Sequence, residues 1–115
     1  MRPAVFVFVL SALSPVLAHA QEFTYTLLDV PVGIETNPAG INAFGDIVGD
    51  YIPDAGADQL RGFLYRDGTY SSIAVPGARD TQAVGVSDRG DIVGLYRNGN
   101  PAPLHGFLLR DGTFT

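Results

Sequence analysis

The chain has 115 residues and a formal net charge of −5; all seven basic residues are arginine, and cysteine is absent. One small domain is the most this length accommodates, and disulfide staples and a thiol lipid anchor are excluded. The acid excess argues against nucleic acid and anionic membrane surfaces as partners.

Met1-Arg2, the apolar run from Ala4 to Leu13 and the small-x-small triplet Ala18-His19-Ala20 have the form of a secretory signal. The run is too short to span a bilayer core, which needs roughly 20 apolar residues. Cleavage after Ala20 is expected, giving a secreted or cell-surface chain in the periplasm or outside the cell, with no transmembrane segment. Loss of Arg2 would deepen the charge by one, and residues 21–115 would carry the fold.

Phe23–Val30 is rich in aromatic and β-branched residues and closes at Pro31, which predicts a strand. Ala39–Asn42 reads as a short second strand, turned by Asn42-Ala43-Phe44-Gly45. Asp46–Tyr51 reads as a third, with Ile47, Gly49 and Tyr51 on one face and Val48 and Asp50 on the other. The segment from Ile52 to Leu60 is polar and rich in breakers. Gly62–Tyr65 reads as a fourth strand, and Asp67-Gly68 accepts the left-handed dihedrals of a tight hairpin leading into Tyr70–Val75.

The pattern then repeats. Gly45-Asp46-Ile47-Val48-Gly49 returns 45 residues on as Gly90-Asp91-Ile92-Val93-Gly94. Tyr25 matches Tyr70, Val30-Pro31 matches Val75-Pro76, Thr36 matches Thr81 and Tyr51 matches Tyr96 at the same offset. Past the loop the offset drops by one, and the stretch from Gly62 to Tyr70 returns from Gly106 to Phe114. A deletion confined to a loop, with strands intact, is the behaviour of a structural repeat. The frame places repeat 1 at about 24–68, repeat 2 at about 69–112 and a strand stub at 113–115. No helical periodicity of useful length follows the signal, so the expectation is all-β: tandem four-stranded repeats, propeller-blade-like, forming an incomplete β-propeller. Gly49 and Gly94, inside strands, suggest close backbone approach. Two repeats cannot close a ring that typically takes 4–8 blades, so truncation or self-assembly of several chains into a ring is expected over a small open sheet, which would leave apolar faces and unpaired edges in water.

The order G-I-N-x-x-G-x-I-V-G-x-Y, a gap, then G-F-L-x-x-D-G resembles the HAF family of extracellular repeats, found in exported bacterial proteins. That family opens its fourth strand with His-Ala-Phe, where this chain reads Arg61-Gly62-Phe63 and His105-Gly106-Phe107. The resemblance covers residues from about Tyr25 onward and implies a secreted or surface repeat protein. It implies no reaction.

No residue constellation supplies a reaction either. His105 is the only histidine past the signal, and copy one has Arg61 there. Ser87, His105 and Asp111 could be written as a triad, but no nucleophile-elbow spacing supports it. Asp50, Asp54 and Asp58 invite calcium, yet their spacing lacks the closely set oxygens that ion requires. Arg89-Gly90-Asp91 spells an adhesion tripeptide, with Gly-Asp already explained by the turn. Tyr51, Phe63, Tyr65, Tyr70, Tyr96, Phe107 and Phe114 fill a core or line a carbohydrate face, the tyrosines suiting either role. No catalytic, cofactor-binding or metal residue is assigned, no cofactor is expected, and the ligand-binding residues stay open. The expectation is an exported, non-catalytic module that binds an extracellular or surface ligand, carbohydrate among the candidates, or scaffolds there. The alternative is a fragment of a secreted polysaccharide-acting enzyme whose catalytic residues lie on missing blades.

Overall fold

A computed structural model describes residues 22–31, 33–56 and 58–115. The expected signal, residues 1–20, lies outside the described residues. Among those described, every regular element is a strand, and no helix is long and apolar enough to cross a membrane.

Eight strands form two antiparallel four-stranded sheets, each in sequential order. The first holds β1 (Glu35–Ile41), β2 (Ile47–Ile52), β3 (Arg61–Arg66) and β4 (Thr69–Ile73); the second holds β5 (Asp80–Val86), β6 (Ile92–Arg97), β7 (His105–Arg110) and β8 (Thr113–Phe114). The all-β expectation holds, while the two sheets form no closed ring.

Turn chemistry sets the hairpins. Asp67 and Gly68 take φ of 52° and 81°, and Asp111 and Gly112 take 50° and 78°, the left-handed pairs that a two-residue hairpin demands. Gly45 and Gly90, at φ of 83° and 92°, close the two earlier turns. Registers repeat as well: Ile47 faces Tyr65 and Gly49 faces Phe63, as Ile92 faces Leu109 and Gly94 faces Phe107. Both first strands carry a bulge, between Pro38 and Gly40 and between Ala83 and Gly85.

Two sequence expectations change. Phe23–Val30 forms no strand, and Phe23, Tyr25 and Leu27 stand 71%, 87% and 84% exposed. Its counterpart is β4, which exists by pairing with β3; no such strand precedes Phe23 among the described residues, and propensity without a partner makes no sheet. The second strand also runs longer than Ala39–Asn42, starting at Glu35, because β1 is an outer strand where Pro38 costs no ladder hydrogen bond.

The sheets stack. Val48, Ile73, Ala83, Ile92 and Phe107 form one buried cluster drawing on both, with Leu64 and Leu109 packed against it. The second face of the first sheet (Val48, Leu64) thus meets the first face of the second (Ile92, Phe107, Leu109). The other face of the first sheet holds Tyr51 and Phe63, buried with Val30 beneath Tyr65 and Tyr70. Strand β5 lies across the first sheet where Gly40 leaves room: a Cβ there would stand 2.8 Å from the Val84 carbonyl oxygen.

Gly49 and Gly94 sit under the rings of Phe63 and Phe107, and a Cβ on either would fall onto the neighbouring strand's Asn37 or Gln82 carbonyl and within 2.8 or 2.7 Å of the ring. Backbone cannot yield as a flexible side chain does. Gly49→Ala or Gly94→Ala should therefore destabilise by about 3 kcal/mol or more, beyond ordinary overpacking. Gly106→Ala, with nothing nearer than 3.8 Å, should cost under about 1 kcal/mol. Urea unfolding followed by circular dichroism checks both.

Candidate functional site

Among the described residues, a groove of about 440 Å³ lies between the segment around Val30-Pro31 and strand β4. Its walls are Tyr51, the hairpin at Gly68-Thr69, and Tyr70, Ser71 and Ser72. Period-two alternation on β4 turns Ser72 toward Tyr51, whose hydroxyl lies 2.8 Å from the serine oxygen. Tyr70 packs obliquely on Tyr65 and Phe63, at centroid separations of 4.9 and 5.8 Å. Burial pushes the Tyr70 phenol above its ordinary pKa, and Tyr65 and the Asp29 carboxylate push the same way; it stays a neutral hydroxyl. The groove therefore sets the half-buried Tyr70 ring beside exposed Thr69, Ser71 and Ser72, with Tyr51 buried against it, the polar and apolar mixture of a small-ligand site.

The charged groups are arranged differently. Asp46, at the start of β2, accepts from Arg66 Nε and Nη2 at 3.1 Å each and from Asn42 Nδ2 at 2.8 Å. Asp91 accepts from Arg110 Nε and Nη2 at 3.1 and 2.9 Å, the same pair one repeat later. Hydrogen bonding to arginine holds both carboxyls below their usual range. Asp80, on β5, is buried; burial alone would raise its pKa, but hydrogen bonds from Arg97 at 2.6 Å, the Leu60 N–H at 2.9 Å and Arg79 at 2.8 Å outweigh it. This knot ties the first sheet's loop to the second sheet. The sequence reading passed over it; an acid at the matching position of copy one, Glu35, was its one signal.

Asp50 lies on the face of β2 that the second sheet covers. Burial raises its pKa, against hydrogen bonds from Asn37 at 3.3 Å and Gln82 at 3.5 Å. It is not drawn together with Asp54 and Asp58: Asp54 is exposed, and Asp58 pairs with Arg79. Among the described residues no cluster of three or more His, Asp and Glu could hold a metal ion.

Ser87, His105 and Asp111 do not meet. Ser87 and Asp111 belong to turns at one end of the second sheet, and His105 opens β7 at the other, beside Tyr96 at 5.2 Å. His105 and Arg110 are five steps apart along β7, about 17 Å of rise. In Arg89-Gly90-Asp91 the aspartate is bound to Arg110. The expected aromatics do not divide by type: Phe63, Phe107 and Tyr51 are buried, the Tyr51 hydroxyl meeting Ser72, while Tyr65, Tyr70, Tyr96 and Phe114 are half-buried.

Comparison with known proteins finds no matching family model, no matching curated protein and no matching solved structure.

Two pH effects of opposite sign follow. Asp46, with its pKa depressed by folding, adds stability that is fully present above the unfolded pKa of about 3.9 and is lost as pH falls through the lower folded value. The Tm deficit of Asp46→Asn should therefore be open at pH 7 and close toward pH 2. Asp50, with its pKa raised, binds its proton more tightly when folded and costs stability at neutral pH. Asp50→Asn should raise Tm at pH 7, and the gain should vanish below the unfolded carboxylate range; calorimetry across pH checks both.

Proposed function

We propose that this chain is an exported, non-catalytic β-repeat module of the HAF type that binds carbohydrate at the cell surface or outside it. The two sheets are blades of a larger propeller-like assembly completed by further repeats. The observation that carries the binding reading is the groove at Tyr51, Tyr70 and Ser72, with the half-buried Tyr70 ring for the C–H side of a sugar and hydroxyls for its rim. The non-catalytic reading is supported by how the carboxylates are spent. Asp46 and Asp91 hold arginines at repeat-related positions, which marks the pairs as architecture.

Pull-down on chitin, cellulose and peptidoglycan, with calorimetry on their soluble oligosaccharides, tests this. At least one polysaccharide should retain the chain without release of reducing ends, and Tyr70→Ala should weaken binding about tenfold, roughly 1.4 kcal/mol. Retention by none of them, or release of reducing sugar, would overturn it.

A further inference from the structure

The contact between the two sheets is built from positions the repeat supplies twice. Val48 of β2 is fully buried in one cluster with Ile73, Ala83 and Ile92, and Val86 packs against it. One repeat later the counterpart of Val48 is Val93, which stands 49% exposed. One repeat earlier the counterparts of Ile73, Ala83, Val86 and Ile92 are Leu28, Pro38, Ile41 and Ile47. Those four line an open apolar groove of about 290 Å³, and Ile41 is 66% exposed at its edge. Among the described residues the chain therefore presents an uncovered knob on its last sheet and an uncovered socket on its first. Their packed form is already seen between its own two sheets.

Polar groups at the same joint correspond too. Between the sheets, the Leu60 N–H donates to Asp80 at 2.9 Å and the Thr81 N–H donates to the Leu60 carbonyl at 3.0 Å. The counterpart of Leu60 is Leu104, 56% exposed, and those of Asp80 and Thr81 are Glu35 and Thr36. A carboxylate and an N–H thus stand ready on the first sheet for a second copy's Leu104. Thr36 already shows its repeat role, accepting from the Val30 N–H at 3.0 Å as Thr81 accepts from Val75 at 3.1 Å.

We infer that copies of this chain join head to tail, Val93 on the second sheet of one copy seating in the Leu28–Pro38–Ile41–Ile47 groove of the next. Knob and socket lie on different surfaces, so the contact is heterologous and closes into a ring or runs on as a filament. Sheets that stack with a constant turn close, and rings of 4–8 blades correspond to two to four copies. The joint is weaker than its intramolecular template. Asn42 Nδ2 bonds the Ser87 carbonyl at 3.0 Å and the Ala43 N–H bonds Asp88 at 2.8 Å within the chain, but the counterpart of Asp88 is Ala43, which has no carboxylate. Assembly is accordingly concentration-dependent, and it stands or falls independently of what the module binds.

The test is light scattering on the chain expressed with its own N-terminal segment, from about 1 to 300 µM. The wild type should shift from monomer to a discrete species of two to four copies. Val93→Asp and Ile41→Asp should each abolish that species while keeping a β circular-dichroism spectrum. An equimolar mixture of the two should give a 1:1 heterodimer and nothing larger, since each retains one intact surface. Where either aspartate variant loses its spectrum, Val93→Ser and Ile41→Ser replace them with the same expectation. A wild type monomeric throughout gives the groove to another occupant and overturns the inference, as do Val93→Asp assembling like the wild type and a mixture that stays monomeric.

Discussion

A four-stranded sheet of strands five to seven residues long has two faces, and in this chain both are apolar. The first sheet turns Tyr51, Phe63 and Tyr65 one way and Val48, Leu64 and Ile73 the other. An antiparallel sheet with one wet face needs only one covering layer; a sheet apolar on both sides needs two. One face is covered by the second sheet and the other in part by the segment at Val30, so the contact of sheet on sheet is the governing constraint, and the departures from ordinary strand chemistry here serve it. Glycine stands where one sheet lies on the next, at Gly40, and where a phenylalanine ring folds over its own sheet, at Gly49 and Gly94. Without the missing Cβ atoms the sheets could not approach, and the large side chains that supply the buried area would have nowhere to lie.

Stacking also accounts for the placement of charge. With neither lysine nor cysteine, the chain relies on arginine forks and carboxylates to fasten the turns, and it does so at the rims. Asp46 with Arg66 and Asp91 with Arg110 pin the hairpin ends of each sheet, and Asp80 gathers Arg79, Arg97 and the Leu60 N–H where the sheets meet. Each of these three acids is driven toward its ionised form by its partners. Asp50 is the exception, buried against the second sheet with only amide donors beside it, so its charge is a cost of the packing. A leucine at the matching position, Leu95, shows that the site does not require an acid.

Much of this was legible in the sequence because the chain states its pattern twice. Asp67-Gly68 and Asp111-Gly112 named their turns, alternation in Asp46–Tyr51 gave both faces of β2, and the 45-residue return gave two equivalent units. What stayed hidden was relational. Phe23–Val30 has the composition of a strand and is the repeat counterpart of β4, but a strand needs an edge to pair with, and composition does not report one. The extension of β1 back to Glu35 depended on Pro38 lying on an outer strand, a fact about sheet order. The Asp80 knot joins residues scattered from Leu60 to Arg97 and could not be read from spacing, since Arg97 replaces an isoleucine of copy one. The Tyr51–Tyr70 groove was half visible, in that tyrosines were expected at a wet boundary, while its serine partner on β4 was not.

Identical residues at repeat-related positions act as internal controls for what sets exposure. Val48 is fully buried and Val93 half exposed, and the Leu60 N–H is bonded across the joint to Asp80 while Leu104 stands 56% exposed. Both valines sit in the same Ile-Val-Gly stretch of an inner strand with a leucine paired opposite, Leu64 and Leu108, so strand chemistry does not separate them. The second sheet, which covers Val48 and not Val93, does. The burial of a residue in this fold is therefore a property of its place in the stack, and the apolar residues left open at the two ends are the ones that bury wherever the stack continues.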